Sequence, residues 1–128
     1  MDWEKLNIKC PSTVSAMSGK TFTKCELAKE LAESNHDIPR SDIDDYVCMA
    51  EFESSYRTNV ISPPNIDGSR DHGLFQINDY WNCDPQNGQT TKNGCNANCS
   101  DFRNDDISDD IVCVKQLKRE HHGFGFSS

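Results

Sequence analysis

Residues 65–79, NIDGSRDHGLFQIND, decide the fold that the rest of the chain is expected to adopt. The motifs SPPN and DGS supply turn-forming residues at the start of this region, and the short apolar run LFQI follows them. Glycine, proline, asparagine and aspartate favour tight turns, and short apolar runs between turns are typical of strands. The pattern predicts a small antiparallel sheet between Asn59 and Asn78, and Asp71 falls within it.

A first helix is predicted upstream of this sheet. Thr23 and Glu26 have the spacing of a capping box, in which each side chain accepts a hydrogen bond from the backbone of the other. Leucines and alanines then recur at helical spacing, which predicts a helix over about residues 23–34. Pro39 marks the end of this helical segment.

A second helix is expected to begin at Ser41, because Asp44 stands three residues later, as in a capping box. Its predicted apolar face consists of Ile43, Val47, Met49, Ala50 and Phe52 and points toward Tyr56. Glu53 then lies at the C-terminal end of this helix.

The sequence after the sheet predicts a long loop and a third helix. Residues 80–99 are rich in proline, glycine, asparagine and cysteine, and such a loop needs cross-links to hold it. A helix over about residues 107–121 follows, with Ile107, Ile111, Val114 and Leu117 on one side. The order helix, helix, small sheet, loop, helix predicts an α+β fold with a helical lobe and a small antiparallel β-sheet lobe.

Length and charge limit the class of protein. The chain of 128 residues is long enough for one domain, which we place at residues 20–128, with residues 1–19 as an N-terminal arm or linker. The net charge of -8 argues against a nucleic-acid binder, because phosphate contacts need clustered lysine and arginine. No apolar run approaches the roughly 20 residues of a membrane span. We therefore expect a monomer that binds neither nucleic acid nor a membrane.

The seven cysteines indicate where the protein works. Only 34% of the residues are hydrophobic, so a domain of this size gains from disulfide bonds, which form in extracellular surroundings. Met1 to Lys9 lacks the apolar core of a signal peptide, so secretion is inferred from the cysteines alone. A zinc site made from four thiols is the alternative, although the two-residue separations of zinc knuckles are absent.

Glu53 and Asp71 are candidate partners in glycoside hydrolysis. This reaction needs one carboxylic acid to protonate the leaving oxygen and one carboxylate to stabilise or trap the sugar cation. Apolar surroundings keep an acid protonated, whereas polar surroundings keep it ionised. Glu53 follows Phe52 on an amphipathic helix, and Asp71 has Ser69 among its polar neighbours. The alternative is that both are solvated surface carboxylates, since 21 residues are acidic.

Four segments resemble one known family. KTFTKCELAKEL, CMAEFESSY, NIDGSRDHGLFQIND and CNANCSDF occur in the order and approximate spacing of the c-type lysozyme and α-lactalbumin family, over about Lys20 to Phe126. The resemblance implies a lysozyme-like, disulfide-linked α+β fold that requires no cofactor. It further implies a secreted, retaining hydrolase of the β-1,4 bonds between N-acetylmuramic acid and N-acetylglucosamine. Bacterial peptidoglycan or a chitin-like oligosaccharide would be its substrate, for defence or digestion.

The resemblance also implies roles for individual residues. Glu53 takes the position of the general acid, and Asp71 takes that of the nucleophile. The implied substrate-binding residues are Asn65, Gln76, Asn78 and Trp81. Asn65 and Asn78 would hydrogen-bond Asp71, and the indole of Trp81 would pack against a sugar ring. The alternative for Trp81 is a core or loop-filling aromatic. Because α-lactalbumin shares the fold without the hydrolysis, a non-catalytic binding or regulatory domain is the alternative function.

Disulfide pairing follows from the same resemblance. It implies the pairs Cys83–Cys99 and Cys95–Cys113. Cys25 and Cys48 correspond to positions whose partners lie in a C-terminal, tryptophan-containing segment of the family, and the sequence ends before that segment. We therefore expect the domain to be incomplete at its C-terminus, and the pairing of Cys10, Cys25 and Cys48 stays open.

The acidic segment 101–111, DFRNDDISDDI, resembles the calcium loop of α-lactalbumin and of calcium-binding lysozymes. The implied ligands are the side chains of Asn104, Asp109 and Asp110 and the backbone carbonyls of Asp101 and Asp106. Asn104 stands where that loop usually has aspartate, which should weaken binding. The alternative is that these carboxylates only favour the positive N-terminal end of the third helix.

Overall fold

The computed structural model describes residues 21–33 and 35–124. Its elements are α1 (Lys24–Glu33), α2 (Ile43–Ser54), β1 (Asp71–His72), β2 (Ile77–Asn78) and α3 (Ser108–Glu120), with 3-10 turns at Arg40–Asp42 and Cys99–Phe102. This is the predicted α+β order of helix, helix, small sheet, loop and helix. The arm assigned to residues 1–19 lies outside the described residues.

The capping box of α1 is confirmed. The Thr23 hydroxyl accepts a hydrogen bond from the Glu26 backbone N–H at 3.0 Å, and the Glu26 carboxylate accepts one from the Thr23 N–H at 3.3 Å. These bonds satisfy two donors that a helix N-terminus otherwise leaves unpaired. Leu27 and Leu31 follow on the buried face, so the helix packs where the periodicity predicted.

The start and the apolar face of α2 differ from the prediction. The helix begins at Ile43, after the 3-10 turn, and no side-chain cap precedes it, so the capping role expected of Ser41 is wrong. Phe52 is 75% exposed and does not belong to the core. Nine residues separate it from buried Ile43, which places it half a turn away around the helix. Tyr46 is buried on that face instead.

The sheet is smaller than the apolar run suggested. β1 and β2 pair antiparallel, with Asp71 opposite Asn78 and His72 opposite Ile77. The residues LFQ form the turn between the strands, so the interpretation of LFQI as a strand is wrong. Leu74 and Phe75 are apolar because this turn is folded into the core, where both side chains are buried.

Gly73 opens that turn and touches the helical side of the molecule. Its φ is +80°, a conformation that glycine adopts without steric cost. A Cβ atom at this position would lie 1.7 Å from the carbonyl oxygen of Phe102. The turn and the 3-10 segment that ends at Phe102 are therefore in backbone contact.

The core joins the helices to the turn of the sheet. It includes Leu27, Leu31, Ile43, Tyr46, Val47, Ala50, Leu74, Phe75, Phe102, Ile111, Val114 and Leu117. Ile107 is also buried and lies just before α3, so the predicted apolar side of the third helix is confirmed. Among the described residues, no helix is long and apolar enough to cross a membrane.

Two disulfides hold the long loop. Cys83 is bonded to Cys99, and Cys95 is bonded to Cys113 on α3. These are the pairs that the family resemblance implied. Because the four cysteines of the alternative zinc site are all disulfide-bonded, that alternative is wrong. Cys25 is also disulfide-bonded, whereas Cys48 carries an exposed free thiol. Cys10 lies outside the described residues.

Candidate active site

One cleft contains both candidate catalytic carboxylates. It has a volume of about 610 Å³ and runs between the end of α2, the sheet, the long loop and the end of α3. Its lining includes Met49, Glu53, Asn65, Asp71, Phe75, Gln76, Ile77, Asn78, Trp81, Asn82, Gly94, Leu117, Glu120 and His121. The structure thus brings all six residues of the predicted catalytic and substrate-binding set to one surface.

Asp71 is held by two side-chain amides. Asn78, directly opposite on β2, donates to Asp71 Oδ1 at 2.9 Å, and Asn65 donates to Oδ2 at 3.4 Å. The backbone N–H of Asp71 donates to the Ser62 hydroxyl at 2.9 Å. Both carboxylate oxygens therefore face donors, which is the polar environment that the sequence led us to expect.

A second layer orients these amides. Asn65 and Asn78 each donate to the Ser69 hydroxyl, which in turn donates to Asp67 at 2.6 Å. That hydrogen bond holds the pKa of the Asp67 carboxyl below its usual range. Because Ser69 accepts from both amides, their NH₂ groups are directed toward Asp71.

The other end of the Asn78 side chain fixes its rotation. Asn78 Oδ1 accepts hydrogen bonds from the backbone N–H groups of Tyr80 and Trp81, at 3.0 and 3.1 Å. The carbonyl end of the amide is thus occupied, and only the NH₂ end faces Asp71. The same contacts join the carboxylate network to the loop that carries Trp81.

Glu53 lines the same cleft from the last turn of α2, where it is half-buried. The apolar part of the cleft lining comes from Met49, Phe75, Ile77 and Leu117. Phe52, which the sequence suggested as the source of these apolar surroundings, points away and is exposed. The apolar wall is therefore supplied by another residue of α2, Met49, together with the sheet region and α3.

Trp81 and Gln76 line the cleft in different ways. Trp81 is 56% exposed and packs edge-to-face on Tyr80, with ring centroids 4.8 Å apart. Trp81 therefore does not fill the core, whereas its contact with Tyr80 is compatible with the loop-filling part of that alternative. Gln76 donates through its amide to the carbonyls of Gly73 and Val60, at 2.9 and 3.2 Å. Its amide nitrogen is therefore engaged with the backbone of the sheet.

Sequence reasoning missed the contribution of α3 to the cleft. Glu120 and His121, at the end of this helix, and Leu117, one turn earlier, all line it. Asn82 and Gly94 were also missed, because they belong to the long loop. No local motif marks these positions, and they reach the cleft only through the tertiary arrangement of α3 and the long loop.

The acidic segment lies between the second 3-10 turn and α3. Asn104 Oδ1 accepts from the Asp106 N–H at 3.1 Å, and Asp106 Oδ1 accepts from the Ser108 N–H at 3.0 Å. Hydrogen bonds from Ser108, the first residue of α3, lower the pKa of the Asp106 carboxyl, the side-chain bond more than the backbone bond. This supports the alternative in which part of the acidic run stabilises the helix N-terminus.

Asp110 behaves differently from the rest of the acidic segment. It is 1% exposed, and its Oδ1 has no hydrogen-bond partner within the part of the chain that the structure describes. Burial raises its pKa to about 9, and the nearby carboxylates of Asp109, Asp106 and Asp101 also raise it. The described residues contain no group of three or more His, Cys, Asp or Glu side chains arranged to hold a metal ion.

Comparison with known proteins identifies the family. Residues 20–126 match the model of the C-type lysozyme/alpha-lactalbumin family. Lysozyme 1 of Musca domestica is 44% identical over 102 residues, which are 80% of this chain and 71% of that protein. Lysozyme X of Drosophila melanogaster is 45% identical over the same share of this chain and 70% of its own length.

Solved structures agree with this assignment. A calcium binding lysozyme from equine milk has a TM-score of 0.75 and 38% identity, covering 85% of this chain and 84% of its own. A lysozyme from Litopenaeus vannamei has a TM-score of 0.70 and 36% identity, covering 85% and 80%. The relatives named here are lysozymes, so the comparisons support a lysozyme function for this chain, which is a glycosidase activity. They do not favour the lactalbumin-like alternative. The chain belongs to the C-type lysozyme/alpha-lactalbumin family.

Proposed function

We propose that this protein is a secreted lysozyme that hydrolyses the β-1,4 bond between N-acetylmuramic acid and N-acetylglucosamine in bacterial peptidoglycan. The observation that carries the proposal is the placement of Glu53 and Asp71 in one cleft, with Asp71 held by two amides. Lysozyme is itself the type case for glycoside hydrolysis by two carboxylates, so the roles below follow the family.

In the first step Glu53 acts as the general acid. It transfers its proton to the glycosidic oxygen as the bond from that oxygen to C1 of the muramic residue breaks. A carboxylate oxygen of Asp71 bonds to C1 and forms a glycosyl-enzyme intermediate. Hydrogen bonds from Asn78 and Asn65 hold the Asp71 carboxylate in place for this attack.

In the second step Glu53 acts as a base. It takes a proton from a water molecule, whose oxygen attacks C1 and releases Asp71. The anomeric configuration is retained, because C1 is inverted twice. Glu53 ends the cycle protonated, as it began.

Trp81 supports the binding of a sugar chain. Its indole is half-exposed at the cleft, and such a ring packs against the apolar face of a pyranose. Asn65, Gln76 and Asn78 provide polar groups along the same surface. A chitin-like oligosaccharide presents the same N-acetylglucosamine units and would bind there too.

The test is clearing of a peptidoglycan suspension by the wild type and by Glu53→Gln. We expect Glu53→Gln to lose activity by on the order of 10³-fold or more, because the amide has no proton to donate. Glu33→Gln, which changes an exposed carboxylate at the end of α1, is the matched control and should clear like the wild type. Equal clearing by Glu53→Gln and the wild type would overturn the proposed mechanism.

Two features support secretion. Disulfides persist in oxidising extracellular surroundings, and three bonded positions, Cys25, Cys83 and Cys95, lie in distinct parts of the described chain. The relatives named above are lysozymes, and work on bacterial cell walls takes place outside the cell. Expression under reducing conditions, in which the disulfides cannot form, should therefore lower the yield of folded protein. The near-ultraviolet circular dichroism signal of the product would measure how much of it is folded.

We also propose a structural calcium ion at the acidic segment. The supporting observation is Asp110, whose buried Oδ1 lacks a partner among the described residues and is surrounded by further carboxylates. Side-chain oxygens of Asn104, Asp109 and Asp110 and the carbonyls of Asp101 and Asp106 would hold the ion. Oxygen ligands of this kind suit calcium, which would neutralise the repulsion between the carboxylates. Catalysis itself needs no metal.

Thermal unfolding in EDTA and in millimolar calcium tests this site. Calcium should raise the Tm, because an ion bound only by the folded protein stabilises it. Asp110→Asn should lose this response, and Asn104→Asp should strengthen it by adding one negative charge. An exposed aspartate elsewhere, Asp37→Asn, is the control. Identical melting curves with and without calcium would reject the site.

A further inference from the structure

We propose that the buried pair Asp79 and His72 positions Asp71 from the back of the sheet; this rests on the role of Asp71 proposed above. Both residues are 4% exposed, and His72 Nε2 lies 3.1 Å from Asp79 Oδ2. A carboxylate can only accept, so Nε2 carries the hydrogen of this bond. Neither residue lines the cleft.

The pair lies on the other face of the two-stranded sheet from Asp71. Side chains alternate along a strand, so Asp71 and His72 point to opposite sides of the sheet. Asp71 shares its side with Asn78, the cross-strand partner. His72 shares the other with Ile77 and with Asp79, which stands two residues beyond Ile77. The pair is therefore directly behind the Asp71 network.

Asp79 also binds the residue before Asp71. Its Oδ1 accepts a hydrogen bond from the Arg70 backbone N–H at 3.1 Å, and its own N–H donates to the Arg70 carbonyl at 2.9 Å. Its Oδ2 binds His72, the residue after Asp71. One buried carboxylate thus holds the chain on both sides of the proposed nucleophile.

The size of the sheet explains why such a clamp matters. Each strand has only two residues, so the ladder alone specifies the register weakly. A slip of one residue would exchange the faces of Asp71 and His72, and Asp71 would no longer lie opposite Asn78. An apolar pair could fill the same space, but it would lack the two hydrogen bonds that the Asp79 carboxylate makes to residues 70 and 72, and would therefore resist a slip less.

The clamp is costly to disturb. A buried carboxylate is stable only when its oxygens are hydrogen-bonded, and removal of one partner leaves the other buried and unpaired. His72 is also held by a neighbouring segment of the same chain, because it forms an isolated antiparallel bridge with Ile61. The position of Asp71 thus depends on contacts made on both sides of it.

Steady-state kinetics on a soluble N-acetylglucosamine oligomer, well below the Tm, test the proposal. Asp79→Ala should lower kcat by about tenfold or more with KM changed less than about twofold, because a displaced nucleophile affects reaction more than binding. Asp79→Asn keeps an acceptor for Arg70 and should recover much of kcat. Ile111→Ala, which opens the core within α3, should lower the Tm but leave kcat unchanged.

A second measurement does not depend on activity. The backbone amide resonances of Asp71 and Asn78 should shift, and their hydrogen exchange should quicken, in Asp79→Ala and not in Ile111→Ala. If Asp79→Ala does not fold, His72→Phe keeps the ring volume, removes one contact and should show the same changes to a smaller extent.

The outcomes separate the two proposals. Wild-type kcat and unshifted resonances in the folded Asp79 and His72 variants would overturn the positioning role. Kinetics unchanged by Asp71→Asn would overturn the proposed function, while the amide measurements would still decide whether Asp79 holds this segment.

Discussion

Two aspartates in this molecule differ in the hydrogen-bond partners of their carboxyl groups. Asp71 has a side-chain amide facing each carboxylate oxygen, and those amides are held by a second layer of hydrogen bonds. Asp110 is more deeply buried, yet its Oδ1 has no partner in the described parts of the chain. At Asp71 the protein itself supplies the donors that support a charge. At Asp110 a bound proton or a cation has to neutralise the charge instead.

The largest expected effect is a loss of activity when Asp71 is changed but not when Asp110 is changed. Asp71→Asn should reduce peptidoglycan clearing by on the order of 10³-fold, because an amide is a far weaker nucleophile than a carboxylate. Asp110→Asn should keep its activity, since Asp110 does not line the cleft. Clearing rates of the two purified variants, measured side by side, check this. Comparable losses in both would show that the regions are not separate.

The next effect concerns stability against pH. The carboxyl of Asp110 has a pKa of about 9 in the folded protein, against 3.8 for the ordinary value. Above pH 4 the unfolded chain releases this proton and the folded one keeps it. In EDTA, stability should therefore fall as the pH rises from about 4 toward 9, by on the order of 1 kcal/mol per pH unit from this group.

Denaturant unfolding of the wild type and of Asp110→Asn at several pH values measures this slope. The variant should lose the contribution of Asp110, because an amide does not ionise. It should thus be more stable than the wild type in EDTA at pH 8. Asp37→Asn is again the control. Parallel curves for the wild type and Asp110→Asn would contradict the raised pKa.

A smaller effect is expected at the first layer around Asp71. Asn78→Ala should lower kcat by about tenfold, because a hydrogen bond to a carboxylate contributes roughly 1.5 kcal/mol. Asn65→Ala should cost less, since its contact with Asp71 is 3.4 Å long, compared with 2.9 Å for Asn78. Kinetics of both variants give the ranking. The reverse order would mean that Asn65 is the main support of Asp71.

The smallest effect is expected one layer further out. Ser69→Ala removes the hydroxyl that accepts from both amides and donates to Asp67. The free energy of unfolding should fall by about 1 kcal/mol, and kcat should fall only a few-fold, because Asp71 keeps its direct donors. Denaturant unfolding and kinetics measure the two effects. A loss as large as that of Asn78→Ala would make Ser69 part of the primary support.

Local signals in the sequence predicted the elements better than their boundaries. The capping box of Thr23 and Glu26 formed as expected, because both partners lie within one turn. Ser41 did not cap α2, since a 3-10 turn occupies the residues before it. Phe52 was placed on the predicted apolar face of α2, but it lies half a turn around the helix from Ile43, and this position leaves it exposed.

The site was predictable where a motif marks it. The motif around Asp71 carries both the carboxylate and Asn78, and the structure joins them at 2.9 Å. Glu120 and His121 carry no such mark, because their place in the cleft depends on how α3 packs. The clamp at Asp79 was missed for a related reason. Its partners are seven and nine residues away, and only strand pairing brings them together.

The contact at Gly73 bears on which residues the turn of the sheet can accept. Here the turn of the sheet meets the Phe102 carbonyl with no side chain between them, so the spacing of the two lobes at this point is set by main-chain atoms. Substitutions elsewhere change side chains but leave that spacing intact. Gly73 itself has no permitted replacement, since even alanine would have to push the lobes apart. The distance between the two backbone segments at this contact therefore depends on the absence of a side chain at one position, Gly73.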